Sequence, residues 1–160
     1  MMKHNMIYPE NIPHELKELE QWVLWKSEAP KKRFGNESKV PYQPNGKKAS
    51  PANPETWTSF ENVLDAYGRG GYSGIGFVLS EDDPYCAIDL DNCRDIFTGI
   101  ISPWAMEIIV QMRGYTELSP TKSGVHIIVK GIKPGNKCRA GSVEMYTEKR
   151  YITMTGDIAV

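Results

Sequence analysis

The sequence predicts an α+β domain with a mostly antiparallel sheet. Two observations predict it: the chain runs from a hairpin to a helix and then to several strands, and its strand candidates are short β-branched and aromatic runs bounded by Gly, Pro and Asn turns. At 160 residues it is long enough for one domain with a real core and short for two, so a single unit is expected.

Residues 15–20 read as a short helix leading into a strand at Trp22 to Trp25. Lys39-Val40-Pro41-Tyr42 reads as the return strand, kept to an edge by a proline with no N–H to donate. Gln43 to Lys48 is turn chemistry, since Asn45-Gly46 adopts positive φ with ease. Thr58 and Glu61 predict a capping box, and Phe60, Val63, Leu64 and Tyr67 the buried stripe of a helix that Gly68 to Gly71 end. A strand follows at 74–79, and its Gly74 and Gly76 permit either a close backbone approach or a bulge. The acidic turn 81–84 leads to the apolar run 86–91, so 74–91 is expected to form an antiparallel hairpin. Ser102-Pro103 is an N-cap with proline at the first helical position, and Trp104, Ile108, Ile109 and Met112 predict that helix's buried stripe. Strands are expected at 115–118, 125–130, 142–146 and 151–155, with a Pro/Gly/Lys-rich loop at 131–141.

Composition excludes several classes. Hydrophobic residues make up 40% and charged residues 24%, and no apolar run approaches the ~20 residues that span a bilayer. The first residues, Met1 to Asn5, lack the apolar core of a signal peptide, so no membrane partner and a cytoplasmic location are expected. Cys86, Cys93 and Cys138 have no Cys-x-x-Cys spacing and read as reduced thiols. The net charge of −1 hides a pattern. Segments 26–50 and 113–150 are each basic by five charges, and the segment between them, 81–95, is acidic by five. That distribution suits a metal site serving a polyanion, and equally a set of solvated charge runs.

The acidic segment centres on Cys86-Ala87-Ile88-Asp89-Leu90-Asp91. Strand alternation puts Asp89 and Asp91 side by side on one face, where their repulsion costs stability unless a cation stands between them. A hard divalent cation such as Mg²⁺ takes such oxygen ligands together with substrate phosphates. Glu144, on the same face as Tyr146 in Val143-Glu144-Met145-Tyr146, is the candidate third carboxylate; its bland alternative is a surface glutamate. Ser119 to Gly124 is a turn rich in hydroxyls and backbone donors that runs into a strand carrying His126, a candidate phosphate donor. Arg150 enters a strand expected beside the one carrying Glu144, where a guanidinium suits a triphosphate or a plain ion pair.

Asp-x-Asp, Ser-Gly-x-His, a later acid and Arg-Tyr-x-Thr-x-Thr-Gly, in that order, resemble the primase-polymerase (Prim-pol) catalytic domains of the archaeo-eukaryotic primase superfamily, in particular the phage and mobile-element type. The matching stretches are Ala87 to Asp91, Ser119 to His126, Val143 to Tyr146 and Arg150 to Gly156. Upstream, Gln21 to Lys26, Lys39 to Tyr42 and Gly46 to Ser50 extend the likeness over nearly the whole chain. The resemblance implies an RRM-like core over 73–160 joined to a smaller N-terminal α/β unit over 1–72, with the cleft between them. It implies that Asp89, Asp91 and Glu144 bind Mg²⁺ or Mn²⁺ and that Ser123 and His126 contact the incoming nucleotide's phosphates. Glu144 departs from the aspartate of many relatives. Such domains are usually fused to a helical segment and a helicase, so Val160, just past a strand, is expected to be a cut within a longer protein.

The function expected is template-directed two-metal nucleotidyl transfer in phage or mobile-element replication, inside a bacterial or archaeal host cell. Asp89, Asp91 and Glu144 hold the cations, while Ser123, His126 and Arg150, with Ser119 and Lys39 beside them, hold the triphosphate. His126 acts as an electrostatic clamp rather than a general base. Lys47, Lys48, Lys137 and Arg139 are candidate contacts to template phosphates. The partners are (d)NTPs, a single-stranded DNA template and a primer. Two alternatives stand beside this: a non-catalytic nucleic-acid-binding replication-initiation module, and a metal-dependent nuclease.

Overall fold

The apolar strand that carries Asp89 is buried on both faces, and the fold is layered around it. The computed structural model describes residues 5–160. Its elements are α1 (His14–Lys17), β1 (Trp22–Glu28), β2 (Ser38–Tyr42), α2 (Phe60–Gly68), β3 (Gly74–Leu79), β4 (Tyr85–Leu90), α3 (Pro103–Met112), β5 (Tyr115–Leu118), β6 (Val125–Lys130), β7 (Arg139–Ala140), β8 (Val143–Tyr146) and β9 (Arg150–Met154). Every strand pairing among the described residues is antiparallel, so the α+β class expected from sequence is the class observed.

The strands form two sheets, one ordered β2-β1-β3-β9 and the other β5-β6-β4-β8-β7. Alternation sends Tyr85 and Ala87 of β4 into a core with Trp22, Leu24, Ile75, Phe77, Ile152 and Met154 of the first sheet. It sends Cys86, Ile88 and Leu90 into a second core under Ala105 and Ile109 of α3. Trp22 anchors the larger core. Its ring meets Phe60 and Phe77 edge-on, and its indole N–H donates to the Leu16 carbonyl at 3.0 Å, so no polar atom of the ring is left unsatisfied.

The expected hairpin over 74–91 does not form. β3 has both edges taken, by β1 and β9, and β4 pairs instead with β6 and β8. The turn between them explains the departure. The Asp83 carboxylate accepts from the backbone N–H groups of Ser80 at 2.9 Å and Tyr85 at 2.7 Å, and from the Gln21 amide at 2.8 Å. Those bonds turn the chain from one sheet into the other. A second such crossing separates β8 from β9, so Arg150 does not lie beside the strand of Glu144 as expected but enters from the opposite sheet.

Three smaller expectations also change. The α2 cap is Ser59, accepting from the Asn62 N–H, while the Thr58 backbone bridges to Trp22. Ser102 sits at the α3 N-cap without a side-chain cap bond. On α3 the buried positions are Ala105 and Ile109, and Trp104 and Met112 are exposed. The strand glycines resolve to close approach: a Cβ at Gly74 would stand 2.6 Å from the Trp25 ring, and one at Gly76 2.5 Å from the Tyr151 ring. No described helix is long and apolar enough to cross a membrane.

Candidate active site

Antiparallel register lines up one residue from each strand of the five-stranded sheet. Glu117 pairs with His126, His126 with Asp89, Asp89 with Glu144, and Glu144 with Arg139. Directly opposed residues share a face, so this row is a continuous strip of ionisable side chains. Its charges do not alternate perfectly: Asp89 and Glu144 are like charges on adjacent strands.

His126 is buried between two carboxylates. Its Nε2 lies 3.5 Å from Asp89 Oδ1 and its Nδ1 3.6 Å from Glu117 Oε1. Nδ1 is also 3.0 Å from the Thr153 carbonyl oxygen, which can only accept, so Nδ1 carries a proton and donates. Burial pulls the imidazole pKa down, but hydrogen bonding to Glu117 and the Asp89 charge outweigh it and leave it above its ordinary value. Glu117 is wholly buried and bonded on both oxygens, accepting from the N–H groups of Thr155 at 2.9 Å and Gly156 at 2.8 Å and from the Tyr115 hydroxyl at 2.7 Å. A buried carboxylate so well satisfied is a fixed anchor for the ring beside it.

Asp89 is the strained member of the strip. Burial pushes its pKa above the usual carboxylate value, with Asp91 and Glu144 adding to the rise and His126 and Lys39 opposing it. Asp91 lies just past the end of β4, where its N–H continues the ladder to the Ser142 carbonyl at 2.9 Å. Glu144 accepts from the Tyr146 hydroxyl on one oxygen and meets Arg139 at 3.3 Å on the other.

A cavity of about 490 Å³ opens over the centre of this strip, lined by Glu37, Lys39, Asp89, His126, Glu144, Tyr146, Arg150 and residues 151–153. It gathers five of the residues singled out in the sequence: Lys39, Asp89, His126, Glu144 and Arg150. Asp91, Ser119 and Ser123 are not among its lining residues. Ser119 Oγ accepts the Gly124 N–H at 3.1 Å, and the hydroxyls of Ser119, Thr121 and Ser123 bond in series, which holds the turn together from within. Lys47 and Lys48 are exposed on the turn after β2, Lys137 is exposed in the loop before β7, and Arg139 is engaged with Glu144. Among the described residues no three His, Cys, Asp or Glu side chains converge closely enough to hold a metal ion as they stand.

Sequence reasoning missed Glu117 and the role of Tyr146. The only trace of Glu117 is an acid in the middle of a short strand, and its partners on β6 and after β9 are remote in sequence. Tyr146 was legible as a face-mate of Glu144 but not as its hydrogen-bond donor.

Fold and cleft together define an α+β domain of two antiparallel sheets with a buried histidine–carboxylate centre opening on a cation-rimmed cavity. No protein-family model matches the sequence. The chain is 38% identical over 145 residues to a DNA primase-polymerase of Nitratiruptor phage NrS-1, a match covering 86% of this chain and 19% of that protein. The resemblance to phage primase-polymerases carried by the motifs is thereby shown, over a chain that spans about a fifth of that relative's length.

Proposed function

We propose that this domain carries out template-directed nucleotidyl transfer from (d)NTPs to a primer 3′-hydroxyl. The observation that carries the reading is the direct pairing of Asp89 with Glu144 beneath the cavity, with His126 on one side and Lys39 and Arg150 at the rim. The likeness to a phage DNA primase-polymerase supports it.

The donor set fits a hard divalent cation. Asp89, Asp91 and Glu144 offer only oxygens, and a cation would offset both the burial that chiefly raises the Asp89 pKa and the repulsion from Asp91 and Glu144 that adds to it. These three residues would hold Mg²⁺ or Mn²⁺, which when bound would activate the attacking hydroxyl and neutralise the leaving pyrophosphate. Glu144 would give up part of its bonding with Arg139 and Tyr146 to take part. His126, held by Glu117 and Thr153, fixes the Asp89 carboxylate and adds positive charge beneath the substrate. Arg150 and Lys39 bind phosphates from the rim, and the Ser119 to Gly124 turn, with Ser123, supplies further donors beside the Asp91 end. The exposed lysines 47, 48 and 137 attract a template strand, an attraction that weakens steeply with salt.

A second reading, a nucleic-acid-binding module without catalysis, is favoured by the lack of three converging metal-ligand side chains among the described residues. Primer extension separates the two. Purified protein, primed template, dNTPs and Mg²⁺ or Mn²⁺ should give elongated product that disappears in Asp89→Ala/Asp91→Ala. Elongation that survives the double substitution refutes the assignment, strand shortening indicates a nuclease, and template binding with no metal-stimulated nucleotide affinity indicates the binding module.

A further inference from the structure

A second cavity, of about 300 Å³, lies against the first and shares two lining residues with it, Tyr146 and Arg150. The Arg150 guanidinium stacks 4.9 Å from the Tyr146 ring centroid, and the Tyr146 hydroxyl bonds Glu144, so this pair forms a partition with the acids on one side. The other side is basic. Lys133, Lys149 and Arg150 line it against one carboxylate, Glu148. None of the three cations makes an ion pair within 4 Å with a described carboxylate. Lys133 is held in place by the Asn136 carbonyl at 3.2 Å and by Cys138 Sγ at 3.0 Å. The cavity thus holds three cations to one carboxylate, and none of the cations is neutralised by a close ion pair. That excess of positive charge suits an anion.

We propose that this second cavity is a phosphate subsite, in which Lys133, Lys149 and Arg150 hold the phosphates of a nucleotide or nucleic-acid strand whose reacting end lies among the acids beyond the Tyr146–Arg150 partition. This rests on the nucleotidyl-transfer reading and deepens it. Lys133 and Lys149 do not line the first cavity, so they act on substrate only through this second one. The polarity is functional: acids take the metal-facing end of a polyanion, and cations take its tail.

Cys138 supplies a reporter independent of catalysis. It lines the second cavity and is half-buried, whereas Cys86 and Cys93 are fully buried, so a small maleimide labels Cys138 first. Labelling rates and calorimetric affinities are to be measured without metal for three probes: inorganic tripolyphosphate, dATP, and an oligothymidylate lacking terminal phosphates. In the parent protein a bound probe should slow Cys138 labelling. In Lys133→Gln/Lys149→Gln that protection should vanish and affinity should fall roughly tenfold or more, the loss expected for removing two charge-assisted contacts. Lys133→Arg/Lys149→Arg should keep both, which separates lost charge from altered folding. Loss confined to tripolyphosphate and dATP identifies nucleotide phosphates, and loss confined to the oligonucleotide identifies a strand backbone. Equal affinity and equal protection in parent and Gln variant for all three probes overturn the proposal. If the probes bind as expected but the parent extends no primer, the subsite stands and the polymerase reading fails.

Discussion

Glu117 and His126 face each other across β5 and β6, with Oε1 and Nδ1 3.6 Å apart, and both are buried. The pair joins the edge of one sheet to the chain that leaves the other, because Glu117 also bonds the N–H groups of Thr155 and Gly156. Removing it exposes several groups at once. Glu117→Ala should destabilise the fold by about 3–5 kcal/mol, the cost of breaking a buried charge pair from one side, seen as a lower urea midpoint. Glu117→Gln, which keeps an acceptor oxygen, should lose less. An Ala variant with the parent's midpoint would show that the carboxylate anchors nothing.

His126 gives stability a pH dependence. Its folded pKa lies above its unfolded value, so its contribution is fully present below the unfolded pKa of about 6.5 and is lost as pH rises through the folded pKa. Chemical denaturation from pH 6 upward should therefore show falling stability attributable to this ring. In His126→Gln that part of the slope should be gone, and a slope identical to the parent's would assign it elsewhere.

Asp89 acts with the same sign in a more acidic window. An acid whose folded pKa is raised favours the fold while protonated, and that stability is lost as pH rises from about 3.9 through the folded pKa. At neutral pH without metal, Asp89→Asn should match or exceed the parent in melting temperature. Millimolar Mn²⁺ should then raise the parent's melting temperature and leave the variant's unchanged, as binding to the native state alone requires. Equal shifts in both would place the metal away from Asp89.

Arg139 and Glu144 form an ion pair with an exposed guanidinium, 67% accessible. Exposed pairs contribute about 0–1 kcal/mol, so Arg139→Ala should leave the melting temperature nearly unchanged. By freeing a Glu144 oxygen it should tighten divalent binding, measured by calorimetry; weaker binding would mean that Arg139 orients Glu144 for the metal.

Gly76 lies under the Tyr151 ring. Gly76→Ala forces that ring aside and should cost about 1–3 kcal/mol, the usual range for overpacking. Because Tyr151 lines the cavity, a fluorescence change on nucleotide addition should shift in this variant. Unaltered stability would show that the ring swings away freely.

Local pattern made much of this fold legible. Alternation in Cys86 to Leu90 separated Ala87 from Cys86, Ile88 and Leu90, which enter different cores, and propensity located every strand of the five-stranded sheet except the two-residue β7. What it could not reveal is partner choice. Asp83 uses its carboxylate to turn β3 out of the sheet that β4 enters, and nothing in the local sequence distinguishes that turn from a hairpin. For the same reason Arg150 was expected beside Glu144 in one sheet, although it reaches the same cavity from the other. Glu117 was hidden because its meaning lies in Thr155 and Gly156, nearly forty residues on. The sequence shows a hydroxyl-rich turn from Ser119 to Ser123, but not that its hydroxyls bond one another.

The position of β9 has a consequence for how the molecule is made. Its pairing with β3 joins residues 75 and 154, so the first sheet remains one strand short until residues 150–154 have been synthesised. The Thr153 carbonyl that orients His126 arrives with that same strand. Long-range pairings of this kind slow folding, because loop closure must precede the contacts that reward it. The centre is therefore completed after the other described strands, by the same event that closes the first sheet, and a nascent chain stalled before residue 150 carries Asp89, His126 and Glu144 without the strand that sets the histidine.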